Sequence, residues 1–102
     1  MKIKENVISK LDQSRYGIKK LKFNELYDSI EECINELKET PDNIIINKLK
    51  GYEYLLSFKK YILDGGTLTD KQITQLKRLA PEVARGYYIY IVEKNKMGCW
   101  YV

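Results

Sequence analysis

A helix-start signal at residues 68–73 constrains the fold more than any other feature of the chain. Thr69 is followed three residues later by Gln72, which is the spacing of a capping box. In a capping box each of the two side chains accepts a hydrogen bond from the backbone N–H of the other residue. Leu68 and Ile73 flank this pair at the spacing of a hydrophobic staple. The sequence therefore predicts that a helix begins directly after Thr69.

Two longer helices are predicted before this signal. Asn24 is a suitable N-cap for a helix over residues 24–38. Thr40 and Pro41 have the order of an N-cap and a first helical residue, and they favour a second helix over residues 41–63. The apolar residues of this second helix cover about half of its surface, so we expect it to be the central helix. They form two stripes, one of Ile45, Leu49, Tyr52, Leu56 and Leu63, and one of Ile44, Gly51, Leu55, Phe58 and Ile62.

The end of the chain contains two runs of residues that favour β-strands. Residues 87–92 and residues 99–102 are separated by a polar stretch that ends at Gly98, which is typical of a β-hairpin. The alternative is a helix that restarts at Pro81 and carries Val83, Tyr87, Tyr90 and Ile91 at helical spacing. The predicted class is therefore α+β, with three or four helices around a long central helix and a C-terminal β-hairpin, and all-α is the alternative.

Length and composition predict one compact domain over residues 1–102. A chain of 102 residues that is 44% hydrophobic can bury about two-thirds of its surface. No window approaches 18 consecutive apolar residues and the first ten residues lack an apolar core, so we expect neither a membrane span nor a secretory signal. Cys33 and Cys99 are far apart, which is typical of reduced thiols in the cytoplasm.

Enzymatic chemistry has little support in the residue types present. The chain has no histidine, which is the commonest general base and the commonest metal ligand. Two cysteines cannot complete a zinc site, and none of the common nucleophile or phosphate-binding motifs is found. We therefore expect a protein that is not an enzyme and that needs no metal or cofactor.

Charge is distributed unevenly along the chain, although the net charge is only +4. Residues 1–22 contain seven basic and two acidic residues, whereas residues 23–43 contain one basic and seven acidic residues. At helical spacing five of these acidic residues fall on one arc and form a predicted acidic ridge that could contact a basic partner, or remain solvated. The ridge consists of Glu25, Asp28, Glu32, Glu36 and Glu39.

Aromatic residues are concentrated near the end of the chain. Five of the twelve aromatic residues lie in the last sixteen positions. A single helical layer cannot bury both faces of a strand, so some of these rings should be exposed and available for a protein interface or for self-association into a homo-oligomer. They are Tyr87, Tyr88, Tyr90, Trp100 and Tyr101.

Nucleic-acid binding is the alternative function. Lys71 and Arg78 lie on the polar face of the predicted helix after Thr69, and Lys59 and Lys60 precede the turn before it. These four side chains could contact phosphates, although a solvated helix face explains them as well. A helix–turn–helix motif is not favoured, because its turn has three or four residues whereas this one has six.

The segment at residues 51–76 resembles a two-helix segment that recurs in small bacteriophage-encoded proteins. The resemblance covers about a quarter of the chain and ends after Leu79. It implies an accessory role, and the residues that carry it are Gly51-Tyr52-x-x-Leu55-Leu56-x-x-x-Lys60-x-x-Leu63-x-Gly65-Gly66-x-Leu68-Thr69-x-Lys71-Gln72-x-x-x-Leu76. We therefore expect a small accessory protein that binds and modulates or inhibits a host or defence protein, with a role in phage DNA or RNA metabolism as the alternative.

Overall fold

The computed structural model describes residues 21–100, and it describes side chains as far as residue 93. Tyr101 and the basic residues before Leu21 lie outside this part. All the regular structure in the described part is helical. The helices are α1 (Phe23–Leu26), α2 (Ile30–Glu39), α3 (Asp42–Lys48), α4 (Tyr52–Leu63), α5 (Asp70–Arg78) and α6 (Ala80–Trp100).

The helix predicted over residues 24–38 is interrupted near its start. Its longer part, α2, begins after Ser29, whose side chain accepts a hydrogen bond from the backbone N–H of Glu32. Glu32 Oε2 in turn accepts from the backbone N–H of Asp28 at 2.9 Å. The predicted N-cap at Asn24 is therefore wrong, because Ser29 has this role for the longer helix.

The predicted central helix over residues 41–63 is two helices, α3 and α4. Leu49 is extended and ends α3, and Gly51 has φ = 68°, a left-handed conformation directly before α4. Thr40 does not cap α3: it ends α2, where its Oγ1 donates to the carbonyl oxygen of Glu36 at 2.7 Å. The single long helix was therefore a wrong prediction, and each of the two apolar stripes assigned to it is divided between α3 and α4.

Side chains of α6 hold the joint between α3 and α4. The backbone N–H of Lys50 donates to Glu82 Oε1 at 2.9 Å, and the guanidinium of Arg85 donates to the carbonyl oxygen of Lys48. These contacts satisfy backbone groups that a continuous helix would have paired internally. The joint therefore depends on residues more than thirty positions away in the sequence.

The helix start at Thr69 is confirmed. Thr69 Oγ1 accepts from the backbone N–H of Gln72 at 3.3 Å, and Gln72 Oε1 accepts from the backbone N–H of Thr69 at 2.8 Å. Leu68 is buried and Ile73 packs against the same core, as the staple predicts. This signal was readable because every group in it lies within six residues.

The predicted α+β class and its C-terminal β-hairpin are wrong. Residues 87–92, which favour a strand by composition, lie inside α6. In this helix Ala80, Val83, Ala84 and Tyr87 recur at helical spacing and all four are buried. Strand preference depends strongly on context, and here the helical stripe that faces the core prevails. The all-α alternative describes residues 21–100.

α6 is the organising helix of the described part. It packs against α1, α2, α3 and α5, while α4 packs against α2 and α3. The buried cluster draws on every helix, with Leu26, Leu37, Ile45, Leu55 and Leu76 fully or almost fully buried. The central position expected for residues 41–63 therefore belongs to α6.

Candidate protein-binding surface

The predicted acidic ridge is only partly exposed. Glu25 and Asp28 are exposed, and Glu32 is half-buried. Two of these carboxylates also organise the backbone, since Glu25 Oε2 accepts from the N–H of Lys22 and Glu32 Oε2 accepts from the N–H of Asp28. Together with the exposed Glu31 and Glu39, they form what we call the acidic surface of α1 and α2.

Glu36 does not belong to this surface. Its side chain is completely buried, and its Oε1 accepts a hydrogen bond from the hydroxyl of Tyr27 at 2.7 Å. Burial raises the pKa of Tyr27 well above its usual value, and the neighbouring Cys33 and Glu36 raise it further. Burial, followed by the charge of Glu36, also raises the pKa of the Cys33 thiol. Glu36 was therefore wrongly placed on an exposed ridge, because it lies on the inner side of α2.

The C-terminal tyrosines whose side chains are described pack against the core and are less exposed than the sequence suggested. Tyr87 is only 6% exposed, and Tyr88 and Tyr90 are half-buried at the edge of the core. The ring centroids of Tyr87 and Tyr90 are 6.4 Å apart in a tilted arrangement. Trp100 ends α6, and neither its side chain nor Tyr101 is among the described parts of the chain.

Packing of α6 against α2 places Tyr87 close to Glu39, at one end of the acidic surface. Burial raises the pKa of Tyr87 to about 12, and the negative charge of the nearby Glu39 raises it further. The edge of α2 that carries Glu39 therefore adjoins the edge of α6 that carries Tyr87 and its neighbour Tyr90. We call the acidic surface of α1 and α2, taken together with Tyr87, Tyr88 and Tyr90 of α6, the acidic–tyrosine surface.

The four basic residues of the nucleic-acid alternative are not brought together. Lys59 Nζ donates to Asp42 Oδ1 at 2.6 Å and to the carbonyl oxygen of Thr40 at 2.8 Å, so its charge is used inside the fold. Lys60 lies with Lys59 on one shallow groove of α4, whereas Lys71 and Arg78 lie on another along α5. They form two separate surfaces.

Sequence reasoning missed four exposed apolar residues. Tyr52 and Leu63, placed in a predicted apolar stripe, are 38% and 57% exposed, and Tyr54 and Tyr61 are 58% and 45% exposed. All four lie on α4. Tyr54 and Tyr61 belong to neither predicted apolar stripe and are seven residues apart, which is the signal that could have placed them on an outer face.

Comparisons with known proteins give no further candidate. No protein-family model matches the chain, and neither a curated protein nor a solved structure matches it significantly. Within residues 21–100, no helix combines the length and the apolar character needed to cross a bilayer. Among the described residues, no three acidic or cysteine side chains are grouped so that they could hold a metal ion.

Proposed function

We propose that this chain is a small, non-enzymatic accessory protein that binds a partner protein through the acidic–tyrosine surface and thereby modulates or inhibits it. The partner is a host or defence protein that presents lysine or arginine side chains, and the setting is the bacterial cytoplasm. The resemblance at residues 51–76 supports the bacteriophage origin of this proposal.

The juxtaposition of Glu39 and Tyr87 carries the proposal. It brings an exposed carboxylate of α2 next to a tyrosine of α6, although the two residues are 48 positions apart in the sequence. Tyrosine is among the residues that contribute most to protein interfaces, because it offers a large rigid ring and a hydroxyl. Carboxylates around such rings speed the encounter with a basic partner and suppress acidic ones.

The test is capture of a partner from bacterial lysate, before and after nuclease treatment, followed by titration of that purified partner. The wild-type chain should retain a protein after nuclease treatment. The Glu25→Lys, Asp28→Lys double variant should slow association, and Tyr88→Ala should weaken affinity by about 2 kcal/mol or more. Circular dichroism would confirm that each variant remains folded.

A matched control changes charge away from this surface. Asp64→Lys alters an exposed carboxylate at the end of α4, and it should leave association unchanged. Loss of the partner on nuclease treatment would refute the proposal. So would a partner whose association rate and affinity are unchanged by both the charge reversals and Tyr88→Ala.

A further inference from the structure

The outer face of α4 carries two exposed tyrosines that the rest of the described chain leaves uncovered. Leu55 and Phe58 face the core, whereas Tyr54 and Tyr61, seven residues apart and therefore on one side of the helix, are 58% and 45% exposed. Single exposed apolar residues are ordinary, but large rings that recur along one side of a helix are typical of an interaction site.

One of these rings is held in place. A Cβ added at Gly66 would lie 2.5 Å from Cζ of Tyr61, so the Tyr61 ring lies directly against the backbone of Gly66. The ring therefore loses little conformational freedom when a partner covers it. This is the behaviour expected of an anchor residue in an interface.

The outer face of α4 carries a negative charge near its first turn and a positive charge near its last turn. Glu53 lies in the first turn of α4 and Lys60 lies seven residues later, about 10 Å along the same side of the helix. Ser57 lies between them, and its small side chain permits close approach of another helix. Within the described part of the chain, neither Glu53 nor Lys60 takes part in an ion pair.

We propose that α4 is the interface of a homodimer, in which two copies pack α4 against α4 in antiparallel orientation around a two-fold axis near Ser57. Antiparallel packing places Glu53 beside the partner's Lys60, and the symmetry repeats this pair on the other side of the axis. Tyr54 then lies beside the partner's Tyr61. The face is thus complementary to itself, which a two-fold interface requires.

The charge pattern favours a second copy over the other occupants. A nucleic acid would meet Glu53 beside Lys60, and a uniformly charged protein surface would be repelled at one end of the face. Twelve residues of helix make a smaller interface than a standard stable complex, so we expect dissociation in the micromolar range. The tyrosines supply most of the affinity, and the charge pairs fix the register.

Sedimentation of the full-length chain over a range of concentrations tests the dimer. The wild-type chain should form a concentration-dependent dimer, and Tyr54→Ala with Tyr61→Ala should abolish it. Glu53→Lys alone and Lys60→Glu alone should each weaken association by about tenfold or more, because each places like charges together twice. The double reversal Glu53→Lys, Lys60→Glu should restore the dimer, since the pairs re-form with exchanged signs.

The chain offers a matched control on another helix. Glu31 and Lys38 are also exposed and seven residues apart, on α2, and their reversal should leave dimerisation unchanged. A chain that stays monomeric up to millimolar concentration, or a double reversal that fails to restore the dimer in a folded protein, would overturn the proposal. Its failure is separate from that of the proposed function, which rests on α1, α2 and α6.

Discussion

Glu36 is an ionisable residue that the fold removes completely from solvent. Its carboxylate is completely buried beside Tyr27 and Cys33, and the Tyr27 hydroxyl donates to it at 2.7 Å. A buried carboxylate is costly unless it is hydrogen-bonded, so this contact stabilises the joint between α1 and α2. The sequence could place Glu36 on an acidic arc of α2, but it could not reveal that Tyr27 would turn inward to meet it.

The raised pKa of Tyr87 predicts a loss of stability in alkali. Unfolded tyrosines ionise near pH 10, whereas Tyr87 in the folded chain has a pKa of about 12. Below pH 10 its stabilising effect is complete, and between pH 10 and 12 the unfolded state loses its proton first, so the free energy of unfolding falls. Urea titrations across this range should show a smaller fall for Tyr87→Phe than for the wild type.

The exposed ring of Tyr54 provides the control for this measurement. Tyr54→Phe removes a hydroxyl from a ring that is 58% exposed, and it should leave the alkaline fall as large as in the wild type. Equal falls for Tyr87→Phe and the wild type would contradict the prediction.

Thr69→Ala should lower the free energy of unfolding by about 1 kcal/mol. The substitution removes the oxygen that accepts the N–H of Gln72 and leaves the start of α5 uncapped. Chemical denaturation would measure the change, and Thr67→Ala, in the exposed turn just before the cap, should have little effect. If both variants unfold at the same midpoint as the wild type, the capping box does not stabilise this helix.

At the scale of the elements, the sequence predicted the helix boundaries that depend on contacts between residues close in the chain. The start of α5 was predicted because Thr69 and Gln72 bond each other. The division of residues 41–63 into α3 and α4 was not, since the joint depends on Glu82 and Arg85 of α6. The helix over residues 87–92 was assigned to a strand because its composition favours β-structure, whereas packing against α2 decides its conformation.

Gly51→Ala should destabilise the chain by about 1–2 kcal/mol, because alanine adopts a left-handed backbone unfavourably. The added Cβ would also lie 3.1 Å from Cδ2 of Leu79. Asparagine tolerates the left-handed conformation better, so Gly51→Asn should cost less if the backbone is the dominant effect. Thermal denaturation of both variants would decide, and an alanine variant as stable as the wild type would exclude a required left-handed joint.

At the scale of the whole molecule, the basic character of the chain does not lie in its described body. Residues 21–100 contain twelve basic and twelve acidic residues, although the net charge of the full chain is +4. A body of this composition offers no general attraction for nucleic acid. The acidic–tyrosine surface and the outer face of α4 belong to different helices, so one molecule has room for a partner protein and for a second copy.

This distribution predicts how the chain responds to DNA and salt. If Lys59, Lys60, Lys71 and Arg78 formed one phosphate-binding site, the logarithm of the affinity would fall with that of salt concentration at a slope of about −3 to −4. Lys59 is instead paired with Asp42, and Lys71 and Arg78 lie on a separate groove of α5. We therefore expect fluorescence anisotropy with duplex and single-stranded DNA to give a slope that Lys71→Glu, Arg78→Glu leaves nearly unchanged. Two results together would favour nucleic acid as the partner. The chain would bind DNA tightly with a salt slope that flattens by about two units in this variant, and Tyr88→Ala would leave the affinity for DNA unchanged.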